Sequence, residues 1–158
     1  MENVSVRRGF GDESWRLAKS ADSIGLHRAA DLLLEGDPAG LLYDGHRARA
    51  FALAIEGHVD EGLAELNEGW TDDWPFPAAY AVDTARVRYL AGDYEHALGA
   101  LQLAVHGADR LDPAIAELVA AVVARAPKLR VRAIKVVLGG GTPWQRLRNA
   151  AAAISARN

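Results

Sequence analysis

The stretch YLAGDYEHALGALQLAVHG, residues 89–107, reads as the end of one helix, a short break and the start of a second helix. A looser copy, ALAIEGHVDEGLAELNEGW, occupies residues 52–70, with Gly57 and Gly92 standing 35 positions apart. Glycine suits such a break because it enters the left-handed conformation that ends a helix without steric cost. A third version, SIGLHRAADLLL at 23–34, aligns on Gly25. In all three a small residue follows five positions after the glycine (Ala30, Gly62, Ala97), and a leucine nine positions after it (Leu34, Leu66, Leu101). The small side chain lets two helices cross closely, and the leucine fills the space between them. Repetition at this period predicts stacked helical hairpins.

Helical periodicity continues on both sides, with no alternating pattern that would suggest a strand. Helices are expected over 12–22, 25–36, 41–56, 58–69, 77–91, 93–106, 112–126, 128–138 and 142–156, about nine in all. Such short connections make neighbouring helices antiparallel. Pro113, Pro127 and Pro143 each fall where a helix should begin, a position whose N–H is unpaired in any case. TPWQ (142–145) adds a threonine cap with glutamine three residues later.

AGDYEHALGALQLAV (91–105) and EGHVDEGLAEL (56–66) resemble the tetratricopeptide repeat family, whose units are helix pairs of about 34 residues. The resemblance implies an all-α, right-handed solenoid of helical hairpins. Its repeats would cover 12–110, after an N-terminal extension at 1–11, and basic C-terminal helices at 111–158 would complete it with a capping helix. It also implies that the first helix of each pair lines a concave surface, which would place Trp15, Lys19, Arg47, Phe51, Arg86 and Tyr89 in a partner-binding groove. The expected work is non-enzymatic: holding a peptide or helix of another protein. Trp15, Phe51 and Tyr89 also read as core side chains packed between helices, the commoner role of aromatics at helical spacing. The chain departs from the family at Arg88, where a buried aromatic is usual. Of the positions that grip acidic C-termini in some members, only Lys19 matches, so that mode of recognition is not expected. Trp70 and Trp74, in NEGWTDDWPFP (67–77), offer either an exposed aromatic contact or a plug between helices.

Charge is unevenly placed. The net charge is -3, yet all 21 acidic residues lie at or before Glu117, and Arg125–Asn158 holds eight Lys and Arg with no acid. Lys128, Arg130, Arg132, Lys135, Arg146 and Arg148 form a candidate basic patch. Lys128, Arg132 and Lys135 share one helix face, with Leu129, Ala133 and Val136 on the inward stripe. Three uses fit such a patch: nucleic-acid phosphates, the acidic body of a second copy in a homodimer, or a solvated face with no partner. Gly139–Gly141 before a helix start could present N–H groups to an anion, or simply turn the chain.

Several classes are set aside. The chain has no cysteine, which removes thiolate chemistry and Cys-ligated zinc. The five histidines, at 27, 46, 58, 96 and 106, show no short metal-ligand spacing, and no Ser-His-Asp order is recognisable. No cofactor or metal is expected. The longest apolar run, LVAAVVA (118–124), is far short of the roughly 20 residues that span a bilayer. Without a signal-peptide pattern at the start, a soluble, cytoplasmic protein is expected.

Overall fold

Three helix breaks are built alike in the computed structural model, which describes residues 13–36, 42–70, 77–106 and 111–139. The left-handed residues are Ala21 (φ 56°), Gly57 (φ 89°) and Gly92 (φ 79°). At each, the left-handed residue donates to the carbonyl three back: Ala21 to Ala18 at 3.0 Å, Gly57 to Ala54 at 3.1 Å and Gly92 to Tyr89 at 3.0 Å. The next residue donates five back: Asp22 to Leu17 at 3.1 Å, His58 to Leu53 at 2.8 Å and Asp93 to Arg88 at 2.9 Å. This paired closure satisfies carbonyls that a helix end otherwise leaves open. Five residues beyond each left-handed residue stand Leu26, Gly62 and Ala97, and nine beyond stand Ala30, Leu66 and Leu101. All six are buried.

The first break therefore falls at Ala21, four residues before the Gly25 expected from the alignment. Gly25 instead lies in the first turn of the following helix, where its N–H donates to the Asp22 carboxylate at 2.8 Å. A four-residue shift turns a helix by only about 40° from the same face. Ala30 thus stays buried in either register while its role changes from close crossing to space filling.

The chain divides into two compact units, Met1–Pro75 and Phe76–Asn158. The boundary lies within the span expected for the repeats. In the first unit, α1 (13–19) is followed by α2 (Ser23–Glu35), α3 (Leu42–Ile55) and α4 (Val59–Gly69). α3 packs against both α2 and α4. Its alternating alanines at 48, 50, 52 and 54 let neighbours close in from several sides, and nine of its residues are buried. Gly45 marks the tightest approach to α2: a Cβ there would lie 2.8 Å from Leu34 Cγ and 3.2 Å from Leu33 Cβ. The Trp15 ring meets Phe51 edge-on at 5.8 Å, and Trp70 meets Tyr43 edge-on at 6.3 Å. Trp70, half-buried just past α4, thus rests against the first turn of α3. Fully burying Phe51, Leu26 or Leu66 contributes roughly 1.5–3 kcal/mol each.

The second unit holds α5 (Pro77–Leu90), α6 (Tyr94–Val105), α7 (Pro113–Arg125), a 3-10 turn (Pro127–Leu129) and α8 (Arg130–Leu138). α6 packs against α5, α7 and α8. Pro113 opens α7 as expected, with the Asp112 carboxylate accepting from Ala114 N–H at 2.8 Å. Ile115, Leu118, Val119, Val122 and Val123 form its buried stripe. Pro127 begins the 3-10 turn rather than an α-helix, and α8 follows from Arg130. Leu129, Ala133 and Val136 point inward, as their spacing predicts.

The described residues form an all-α arrangement of eight helices, with no strand among them. No helix among them is long and apolar enough to cross a membrane. The extension at 1–11, Trp74, the expected helix at 142–156 with Pro143, Arg146 and Arg148, and Gly140–Gly141 lie outside the described residues.

Candidate functional site

Each unit carries a buried carboxylate–guanidinium pair written by the same six-residue spacing. DGHRAR (44–49) and DTARVR (83–88) both read Asp-x-x-Arg-x-Arg. On α3, Arg47 donates to Asp44, and the guanidinium stands 5.6 Å from the Tyr43 ring centre. On α5, Arg86 Nη1 donates to Asp83 Oδ1 at 3.0 Å. Asp44 is 3% exposed, Arg47 9% and Asp83 2%. Pairing on the same helix offsets part of the cost of holding charges this dry.

The second arginine of each motif reaches off its helix. Arg49 donates to Asp31 on α2 at 3.1 Å and lies 4.0 Å from Glu65 on α4. Arg88 donates to Asp93, the cap of α6, at 3.0 Å. Asp93 also accepts from the His96 backbone N–H at 3.4 Å and sits 2.8 Å from His96 Nδ1. Burial raises the Asp93 pKa, but the His96 hydrogen bonds and the charges of His96 and Arg88 outweigh it, holding the carboxyl below the ordinary aspartate value.

Arg49 lines an open cleft in the first unit, a hollow of about 650 Å³ framed by α2, α3 and α4. Its walls carry Asp31, Glu61, Glu65 and Glu68 against this one guanidinium, with His27 at the α2 side and Leu53 and Ala64 as the apolar part. His46 Nδ1 lies 2.8 Å from Glu65 and His27 Nε2 lies 3.2 Å from Glu56, so two histidines tie the walls together across helices. The cleft is open and acidic. Arg49 and Leu53 sit two residues on from Arg47 and Phe51, about 200° around α3. The cleft therefore lies on the other side of α3 from the groove expected by resemblance.

Of the expected groove residues, Trp15 and Phe51 are core side chains packed on each other. Arg47 is buried with Asp44, and Arg86 is paired with Asp83. Lys19 is exposed, with its amine 6.0 Å from the Trp15 ring centre. Tyr89 is half-buried, its ring tilted 5.7 Å from that of Tyr94. Trp15, Lys19, Arg47 and Phe51 belong to the first unit, Arg86 and Tyr89 to the second.

Within the basic patch, Lys128, Arg132 and Lys135 are exposed and Arg130 is half-buried. None of the four has an ion pair among the described residues. Lys128 borders a smaller hollow of about 220 Å³ with Asp93 and Glu95. Among the described residues no three His, Asp or Glu side chains come together as a metal site. Sequence reading passed over Asp44, Asp31, His46 and Glu65; the repeated Asp-x-x-Arg-x-Arg spacing was the signal that could have found the first.

No family model matches the chain, and searches of curated proteins and of solved structures returned no match.

Proposed function

We propose that this chain is a tetratricopeptide-like helical-hairpin protein whose work is non-enzymatic binding of a segment of another protein. The three like-built breaks support the family reading, since the left-handed residue, the two-bond closure and the buried positions at five and nine recur at a period of about 35 residues. The observation that carries the binding reading is the open cleft between α2, α3 and α4. Three helices hold its charged side chains in place through cross-helix pairs, and it is wide enough for the side chains of an extended or helical segment. Its chemistry favours a cationic partner, because four carboxylates line it against one arginine. Asp31 is held by Arg49 and Glu65 by His46, Glu61 lies 3.0 Å from His58, and Glu68 has no ion pair among the described residues. This surface displaces the Trp15–Phe51 side as the working face, since those rings are spent on the core.

A photocrosslinking amino acid at Ala64, exposed on the cleft wall, tests the reading. The expected result is a crosslink to a protein, formed in the native host, that disappears when Glu61→Lys and Glu68→Lys are added. Absence of any protein crosslink at Ala64 above that at Leu103, exposed in the second unit, overturns it.

A further inference from the structure

Resting on that reading of the cleft, we propose that its occupant is the exposed face of the 3-10 turn and α8 of a second copy of this chain. Copies would then associate head to tail. The cleft wall on α4 carries Glu61, Glu65 and Glu68, at offsets of zero, four and seven. Lys128, Arg132 and Lys135 repeat the same offsets with the opposite sign. All three cations are exposed and have no ion pair among the described residues, whereas Asp93 and Asp112 in the same unit are engaged as helix caps.

The apolar residues agree. Val131 is 69% exposed and Leu138 37% exposed on the same side of α8 as Arg132 and Lys135. Leu53 and Ala64 are the apolar part of the cleft. A partner consisting of phosphates would use the cations but would give Val131 nothing to cover. A second copy uses both. Because the cleft and the α8 face are different surfaces, a pair of copies keeps one of each free, so the contact extends into a ring or an open row. Ionic strength controls it: the Debye length falls from roughly 30 Å at about 0.01 M salt to roughly 3 Å at about 1 M.

Sedimentation velocity on the full chain is the test, with Glu61→Lys/Glu68→Lys as one variant and Arg132→Glu/Lys135→Glu as the other. The wild-type mass should rise with concentration at about 0.01 M salt and fall to that of a single chain near about 1 M. Each variant alone should associate about 10-fold or more weakly, since attraction becomes repulsion. An equimolar mixture should regain association, because the reversed cleft of one variant then meets the reversed helix of the other. Circular dichroism checks folding; if either double variant loses helicity, Glu68→Lys and Lys135→Glu, both at exposed positions, run the same mixing test.

A wild type that stays a single chain at low salt, or a mixture that fails to regain association, overturns the proposal. So does retardation of a labelled nucleic-acid duplex by the wild type that is lost in Arg132→Glu/Lys135→Glu, which assigns the cations to phosphates. A single-chain wild type that still crosslinks another protein through Ala64 removes only the second copy as occupant. No crosslink at Ala64 removes the cleft itself.

Discussion

The α3–α4 and α5–α6 hairpins use one Asp-x-x-Arg-x-Arg motif at two heights. In α5 the second arginine, Arg88, stands four residues before Gly92; in α3 its counterpart, Arg49, stands eight residues before Gly57. One helical turn separates the two placements, about 6 Å along the axis on nearly the same face. At the lower height Arg88 reaches the cap of the next helix and reinforces a turn. At the greater height Arg49 meets Asp31 on one neighbour and comes within 4.0 Å of Glu65 on the other, standing in the cleft between them. The same residues make a turn clamp in one unit and part of a candidate site in the other.

The strongest way to break this comparison is to remove the feature the hairpins share. Asp44→Ala and Asp83→Ala should each lower unfolding stability, by at most about 3–5 kcal/mol, because each takes a carboxylate away from a guanidinium held inside its unit. Urea denaturation measures both. If one costs several-fold less than the other, the two pairs are not equivalent. For the same reason Arg47→Glu cannot probe a binding surface, since it sets a second carboxylate beside Asp44 in the core and should unfold the first unit.

Next come the turns. Gly57→Ala and Gly92→Ala should each cost about 1 kcal/mol, from strain at positive φ partly offset by a stiffer unfolded chain. A Cβ at either site meets nothing within 4 Å, so crowding adds no further cost. Asp93→Ala should cost about 1 kcal/mol as a lost helix cap. The cap also gives the second unit a pH dependence. The folded pKa of Asp93 is lowered, so its contribution is fully present above the unfolded aspartate value of about 3.9 and is lost as pH falls through the lower folded value. Amide exchange at His96 followed from neutral to acid pH should show this loss, and Asp93→Asn should flatten it.

The smallest effect sharpens the comparison at the third break. Ala21→Gly should stabilise by about 0.5 kcal/mol, since alanine is the strained residue at a left-handed position. Thermal unfolding against the wild type reads the sign. A loss of stability would mean that Ala21 is held by more than its backbone conformation.

Most of the helical order was legible in the sequence because caps and breakers are local signals. Gly57, Gly92, Asp112 and Pro113 all act where their chemistry places them. The first break was misplaced because no glycine marks it, and because a shift of one turn leaves Ala30 on the buried face. The groove was less legible for a different reason. α3 is buried around most of its circumference, with alanine at alternate positions, so its pattern names no outward side. Arg47 and Arg49 look alike in sequence, two residues apart. Only the packing of α2 and α4 makes one a core residue and the other part of the lining of an open cleft.

The closed breaks have a kinetic consequence. Each is sealed by hydrogen bonds reaching no more than five residues back, so a hairpin can form without waiting for distant parts of the chain to meet. Contact order within such a unit is low, and domains of that kind fold in microseconds to milliseconds. Ala21, the one non-glycine among the left-handed residues, makes the first of these seals the costliest of the three to form.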